Sequence, residues 1–310
     1  MFPLLVAVLL QEAAAMLHEA DNTFGQRKYA QALDQYRMAA AQAEKERNLQ
    51  VQVEALAQVA RCLSLTGKLA EGRDWLERAA KLASKDEPLG WSRYLGVRGI
   101  FERESGDRAK ARKTFEEMYD YCVGKKLHRR AVDAVHHIAI VVPPEEQPEW
   151  ALKGIREAEN LGDDTWLAVL WNNLGATYED LKQYDKCLEA YRKARHYHHK
   201  SGDEHRKFVA DWAVAHALRL AGKAKEAKEL LEPLLAEARR RHEKKPEAET
   251  LEWVGWCKKD LGECLVALGS KAEGTALIKD ARAALVESGI EKWWPEGLQQ
   301  LDETLTRLQE

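Results

Sequence analysis

The sequence is poor in the features that announce chemistry or export. Its five cysteines (Cys62, Cys122, Cys187, Cys257 and Cys264) form no CxxC pair, and their number is odd. This argues against a disulfide framework and points to a reducing, cytoplasmic compartment. Cys257 and Cys264 would sit two turns apart on one helix, about 10 Å along its axis and beyond the ~7 Å a bridge can span. No GxSxG, HExxH or GxxxxGK[ST] run is present, and no carboxylate pair is marked out as buried, so nothing supports an enzyme or a cofactor. Strand alternation is lacking throughout, which leaves an all-α chain. The formal net charge is only −3 over 310 residues. Such a chain has no broad positive field for nucleic acid or anionic membrane.

The N-terminal apolar run, Phe2–Leu10, is nine residues long and far too short to span a bilayer. With Ala13-Ala14-Ala15 behind it, the run has the outline of a short secretory signal cleaved after Ala15. No Lys or Arg precedes it, the first being Arg27, and a signal needs that charge. The preferred expectation is an apolar helix extension, residues 1–12, that caps one end of the fold.

Repetition is what the sequence has in quantity. In Val169–Ala194, VLWNNLGATYEDLKQYDKCLEAYRKA, Trp171, Leu174, Gly175 and Tyr178 recur at helical intervals. Cys187, Tyr191 and Ala194 do so on a second amphipathic segment. The same spacing returns with small residues at Ala32, Gly72, Ala111, Ala151, Cys187, Ala227 and Gly274, in steps of 40, 39, 40, 36, 40 and 47. Twelve positions before each lie Ala20, Ala60, Gly99, Ala139, Gly175, Ala215 and Gly262, all Ala or Gly. Four positions after each lie Tyr36, Leu76, Phe115, Ile155, Tyr191, Leu231 and Ile278, all large. Antiparallel helices approach closely only where a side chain is nearly absent, and a large neighbour then fills the space. Seven helical hairpins are predicted.

Turn signals separate the helices at Gly67-Lys68, Gly106-Asp107, Gly222-Lys223 and Gly269-Ser270, as Gly supplies the required backbone freedom. Two irregularities interrupt the pattern. Val142-Pro143-Pro144 should stop the first helix of the fourth hairpin by about Val142. Ala236–Lys245 should lengthen a helix until Pro246. After the last hairpin, Pro295 should open an amphipathic capping helix with Leu298, Leu301, Leu305 and Leu308 on one stripe, and Trp293 and Trp294 packed beneath it.

The clustered His196, His198 and His199 contain one i, i+3 pair and lack the i, i+4 spacing of a helical metal site. They read as a solvated helix end, and no metal site is expected. The basic runs at Lys125–Arg130 and Arg239–Arg241 carry no interleaved aromatics and read as solvated helix ends.

The Trp, Leu-Gly, Tyr and small-aromatic pattern of residues 169–194 resembles the tetratricopeptide repeat (TPR). The ~40-residue step resembles the longer repeats of kinesin light chain and bacterial peptide-sensing regulators. The resemblance implies a right-handed superhelical solenoid over residues 13–290 with a C-terminal cap at 291–310. It implies a non-enzymatic scaffold that holds a protein or peptide on the face lined by first helices. Asn172 and Asn173 would face this groove, and an Asn before Leu-Gly suits a peptide backbone because its amide both donates and accepts. Matching positions give Arg61, His136, His137, Trp212 and His216, with Arg93, Arg103 and Arg219 within a turn. A locally basic groove would prefer an extended acidic segment with an aromatic or apolar anchor at Trp212. The competing expectation is that these arginines pair with Asp21, Glu54, Glu102 and Asp133. The alternative functions are a ligand- or peptide-responsive regulatory subunit and, from another class, a helical-repeat metal protein or enzyme. Self-association is a further partner class.

Overall fold

A computed structural model of the chain describes residues 2–309, and the side chains of residues 12–308. The backbone is all helix and turn among the described residues, in two compact units that meet in sequence at Leu161 and Gly162. The first unit contains α1 (Phe2–Gly25), α2 (Tyr29–Glu46), α3 (Leu49–Leu65), α4 (Leu69–Leu82), α5 (Pro88–Glu104), α6 (Arg108–Gly124), α7 (His128–Val141) and α8 (Gln147–Leu161). The second contains α9 (Asp164–Asp180), α10 (Tyr184–Lys200), α11 (Glu204–Leu220), α12 (Ala224–Lys244), α13 (Ala248–Ala267), α14 (Lys271–Glu287) and α15 (Pro295–Gln309). These are the seven expected hairpins and the capping helix. Residues 2–10 continue α1 as backbone helix. Their side chains, and with them the proposed capping contact and its cleaved alternative, lie outside the described residues.

Local chemistry sets the helix starts. Asn48, Asp107, Asp163 and Asp203 each accept a hydrogen bond from a backbone N–H in the first turn of the following helix, which satisfies a donor that has no partner within the helix. The hairpin turns at Gly67, Gly106, Gly222 and Gly269 all take positive φ, the region that costs glycine nothing.

The small residues act as predicted. A Cβ at Gly99 would lie 2.5 Å from the ring of Phe115, one at Gly175 would lie 2.6 Å from Tyr191, and one at Gly262 would lie 2.7 Å from Ile278. Each pair is separated by sixteen residues, a small position in one helix beneath the large position of its partner. Tyr36, Phe115, Ile155, Tyr191, Leu231 and Ile278 are buried. Leu76 is only half-buried. Its helix α4 is short, ends in an extended residue at Ala83, and touches α5 slightly while α5 packs directly on α3.

The proline segment ends α7 at Val141, with Val142 extended at ψ 162°. The Arg108 guanidinium donates to the carbonyls of Ile140, Val141 and Val142 at 2.6–3.4 Å, covering oxygens that the broken helix leaves open. One expectation fails at the cap. Trp294 packs on Trp256 with ring centroids 4.7 Å apart, but Trp293 is 59% exposed. The 3-10 turn Ile290–Lys292 buries Ile290 in its place. No helix among the described residues is long and apolar enough to cross a membrane.

Candidate functional site

Each unit carries its own pocket on the side built by first helices. In the first unit a cavity of about 250 Å³ is lined chiefly by α3, α5 and α7, with Gln58, Arg61, Arg93, Arg130, Asp133 and His137 among its polar groups. These side chains stand side by side because the repeat places one turn of each first helix next to the same turn of its neighbour.

The cations of this cavity share carboxylates that stand around it. Glu54, only 5% exposed, accepts from Arg130 at 2.5 Å and lies 3.8 Å from Arg93. Arg61 donates to Ser64 and Glu104 at 3.0 Å, and Arg103 reaches only to 3.9 Å from the same Glu104. Asp21 accepts from Tyr36 at 2.6 Å and stands 3.8 Å from Arg93. Among the arginines that line the cavity, Arg93 is therefore the least satisfied, and its Nε is buried without a hydrogen-bond partner. Burial lowers the pKa of Arg130, and the Arg93 charge adds to this. Burial also pushes His137 down to about 3, despite Asp133 and with help from His136, Arg103 and Arg61. His137 stacks on Phe115 at 4.8 Å and lies 3.6 Å from Asp133.

In the second unit a pocket of about 460 Å³ is lined by Glu179 on α9, Trp212, His216 and Arg219 on α11, Trp256, Lys259 and Glu263 on α13, and Trp294 with the inner face of α15. Behind it Asp260 is completely buried. This carboxylate accepts from His216 Nδ1 and Arg219 Nε, both at 2.9 Å, and from Lys259 Nζ at 3.2 Å. Glu263 meets Arg219 at 2.5 Å and Lys259 at 3.3 Å, and Glu179 meets His216 Nε2 at 3.0 Å. Burial alone would raise the Asp260 pKa, but His216, Lys259 and Arg219 outweigh it and hold the carboxyl well below its usual range. Three cations and three carboxylates thus form one closed network.

The expected residues separate into these two sets. Arg61, Arg93 and His137 line the first pocket, while Trp212, His216 and Arg219 line the second. Arg103 and the half-buried His136 lie beside the first without lining it. Asn172 and Asn173 are half-buried on α9 and line neither. The expected pairing of arginines with internal acids is present in part: Arg93 faces Asp21 and Glu54, whereas Arg61 and Arg103 use Glu104 and Arg219 uses Asp260 and Glu263. Glu102 serves Arg98.

Sequence reasoning missed Glu179, Lys259, Asp260 and Glu263, and it placed Arg130 at a solvated helix end, whereas the structure half-buries it against Glu54. A signal for one of them was present. The offset that selects Asn173, fourteen residues before the small anchor Cys187, selects Asp260 before Gly274 and Gln58 before Gly72. Elsewhere, His199 and Arg195 both bond Asp211, and no group of three His, Cys, Asp or Glu side chains is placed to hold a metal among the described residues. The five cysteines are free and buried.

Comparison with known proteins agrees with this architecture. Residues 168–199 match the family model of the tetratricopeptide repeat, and no curated protein matches the sequence. Among solved structures, a Signal Transduction ATPase with Numerous Domains protein with a tetratricopeptide repeat sensor from Pyrococcus horikoshii has a TM-score of 0.69 at 13% identity, covering 97% of this chain and 45% of that one. The present chain thus spans less than half of that protein. Kinesin light chain TPR-like repeats from Podosopora anserina give 0.52 at 16% identity, covering 64% of this chain and 95% of that one. Aspartyl phosphate phosphatase F from Bacillus subtilis gives 0.55 at 13% identity, covering 90% and 71%. At such identities the likeness is one of fold. Residues 168–199 thus carry a tetratricopeptide repeat, and the chain as a whole has the fold of tetratricopeptide-repeat solenoids.

Proposed function

We propose that the protein is a non-catalytic interaction scaffold whose first-helix faces hold a peptide or protein segment, and that the first unit prefers an acidic side chain on that segment. The observation that carries the acidic preference is Arg93. Its guanidinium lies in a cavity with its Nε unpaired and no carboxylate nearer than 3.8 Å. An incoming carboxylate would meet a guanidinium that Asp21 and Glu54 hold only at ion-pair distance, so a direct charge-assisted hydrogen bond would be a net gain. The cavity, at about 250 Å³, suits one acidic side chain rather than a nucleotide-sized ligand. Asn172 and Asn173 would serve the second unit by contacting a peptide backbone. That role rests on position within the repeat alone.

A peptide array carrying single Asp or Glu substitutions, probed with the whole protein, tests this reading. Arg93→Gln should abolish the preference for acidic peptides, and Asn173→Ala should weaken binding across sequences. Equal binding by parent and Arg93→Gln on every acidic peptide would remove the assignment. A ligand-responsive regulatory subunit is the second reading, favoured by the shared fold with the repeat sensor of the P. horikoshii protein. A ligand-dependent change in scattering radius would mark it.

A further inference from the structure

We propose that the pocket of the second unit binds an uncharged planar aromatic group, stacked among Trp212, Trp256 and Trp294 with α15 as its outer wall. The charged groups of this pocket are already committed. His216 bonds Glu179 and Asp260, and Arg219 and Lys259 each reach both Asp260 and Glu263. An acid entering here would have to draw a cation away from a buried carboxylate, and the stranded charge costs more than the new pair returns. The second unit therefore differs from the first, where Arg93 has donors to spare.

Outside this charged network the lining includes three indoles. Trp212 lies flat on His216 at 5.0 Å and 25°, with Trp256 tilted 6.1 Å from it and Trp294 4.7 Å beyond Trp256. Gly297 lets the Trp294 ring fold back on α15, because a Cβ at that position would collide with the ring. The Trp212 Nε1–H is buried and has no hydrogen-bond partner, so an acceptor beside the ligand ring would relieve an unpaired donor. At about 460 Å³ the space falls within the range of small-ligand sites. Offset and edge-to-face contacts with several indoles favour a ring over an aliphatic group of equal size.

The ring could arrive as an aromatic side chain of a docked peptide, which would rest on the scaffold reading, or as a free small molecule. Titrating the full chain with N-acetyl-tryptophanamide, N-acetyl-leucinamide and N-acetyl-aspartate, read by the indole N–H signals in NMR, tests the site itself. The Trp amide should shift the Trp212, Trp256 and Trp294 signals, and the other two probes should leave them unmoved. Trp294→Leu and Trp256→Leu should each weaken the Trp amide about tenfold, in variants whose circular dichroism and melting match the parent. A peptide carrying one Trp, compared with its Leu version, identifies the source. Binding of the peptide ring far above the free amide points to a protein partner, and parity points to a small molecule. If the Trp amide moves no signal and the Trp peptide binds no better than its Leu version, the proposal falls. It also falls if both Leu variants bind the amide as the parent does. Retention of the Arg93-dependent acidic preference in that case would leave the scaffold reading standing.

Discussion

His216 Nδ1 stands 2.9 Å from a carboxylate oxygen of Asp260, forty-four residues further along the chain and wholly buried. Its other ring nitrogen stands 3.0 Å from Glu179. A neutral imidazole has one N–H and cannot donate to two ionised carboxylates at once. The arrangement therefore calls for the imidazolium, which ties α9, α11 and α13 together. Burial opposes the charge, but Asp260, then Glu179, outweigh it against the repulsion of Arg219, and the His216 pKa rises above its ordinary value. Lys259 on α13 faces the same Asp260 and limits how far the pair can be pulled.

The sign of the pH dependence follows. A raised histidine pKa gives stability that is complete below about 6.5, the unfolded value, and is lost as pH rises through the higher folded value. Glu179 and Asp260 are held low, so their contribution is present above about pH 4 and lost as pH falls below it. His216→Gln should therefore narrow its stability deficit as pH climbs from 6 to 9. A deficit that stays constant in thermal melts over that range would contradict the assignment of charge.

His137 should behave in the opposite sense. Its pKa is pushed down to about 3 by burial, so the native state holds it neutral. Stability from this site is complete above about pH 6.5 and erodes as pH falls toward 3. His137→Phe should flatten the acid limb of the stability curve, and an unchanged limb in denaturant titrations at pH 4–6 would count against it.

Asp260→Asn should cost about 3–5 kcal/mol, because it removes the charge that three buried or half-buried cations share. The His216 pKa, followed by NMR, should fall in the same variant. A loss below about 1 kcal/mol, the range of exposed pairs, would show that solvent screens the network.

Gly175→Ala should cost about 1–3 kcal/mol by overpacking, since the new methyl would meet the Tyr191 ring at 2.6 Å. Gly124→Ala meets nothing within 4 Å and should stabilise by up to about 1 kcal/mol, the helix-propensity difference. Lys182 sits at φ 55°, where a side chain is strained, so Lys182→Gly should gain a similar amount. Chemical denaturation of the three variants checks the ordering.

The cysteines should not react in the native state. Burial raises Cys62 and Cys187 to about 12 and Cys122 and Cys264 to about 11, and little thiolate is present at neutral pH. Thiol labelling at pH 7.5 should await unfolding. Rapid labelling of one cysteine would reveal local opening at that repeat.

The division between what could be read and what could not is clear at individual residues. Gly99, Gly175 and Gly262 were legible as contact points because a close helix pair permits almost no side chain there, and the constraint is local and repeats along the chain. The hairpin turns at Gly67, Gly106, Gly222 and Gly269 were legible for a similar reason. The turn at Arg27 was not, since this residue adopts positive φ without any compositional sign of it. Val142-Pro143 announced its own helix end.

The sequence by itself determined the helices, their pairing into hairpins and the candidate residues of the inner faces, because each depends on spacings of at most about sixteen positions. Only the tertiary structure decided what those residues meet. Arg130 finds Glu54 across seventy-six residues, and Arg219 and His216 find Asp260 across more than forty. Whether an arginine is free to bind a partner or already satisfied depends on a carboxylate brought from another repeat. The repeat pattern fixes where that position lies, but the residue that occupies it is free to vary.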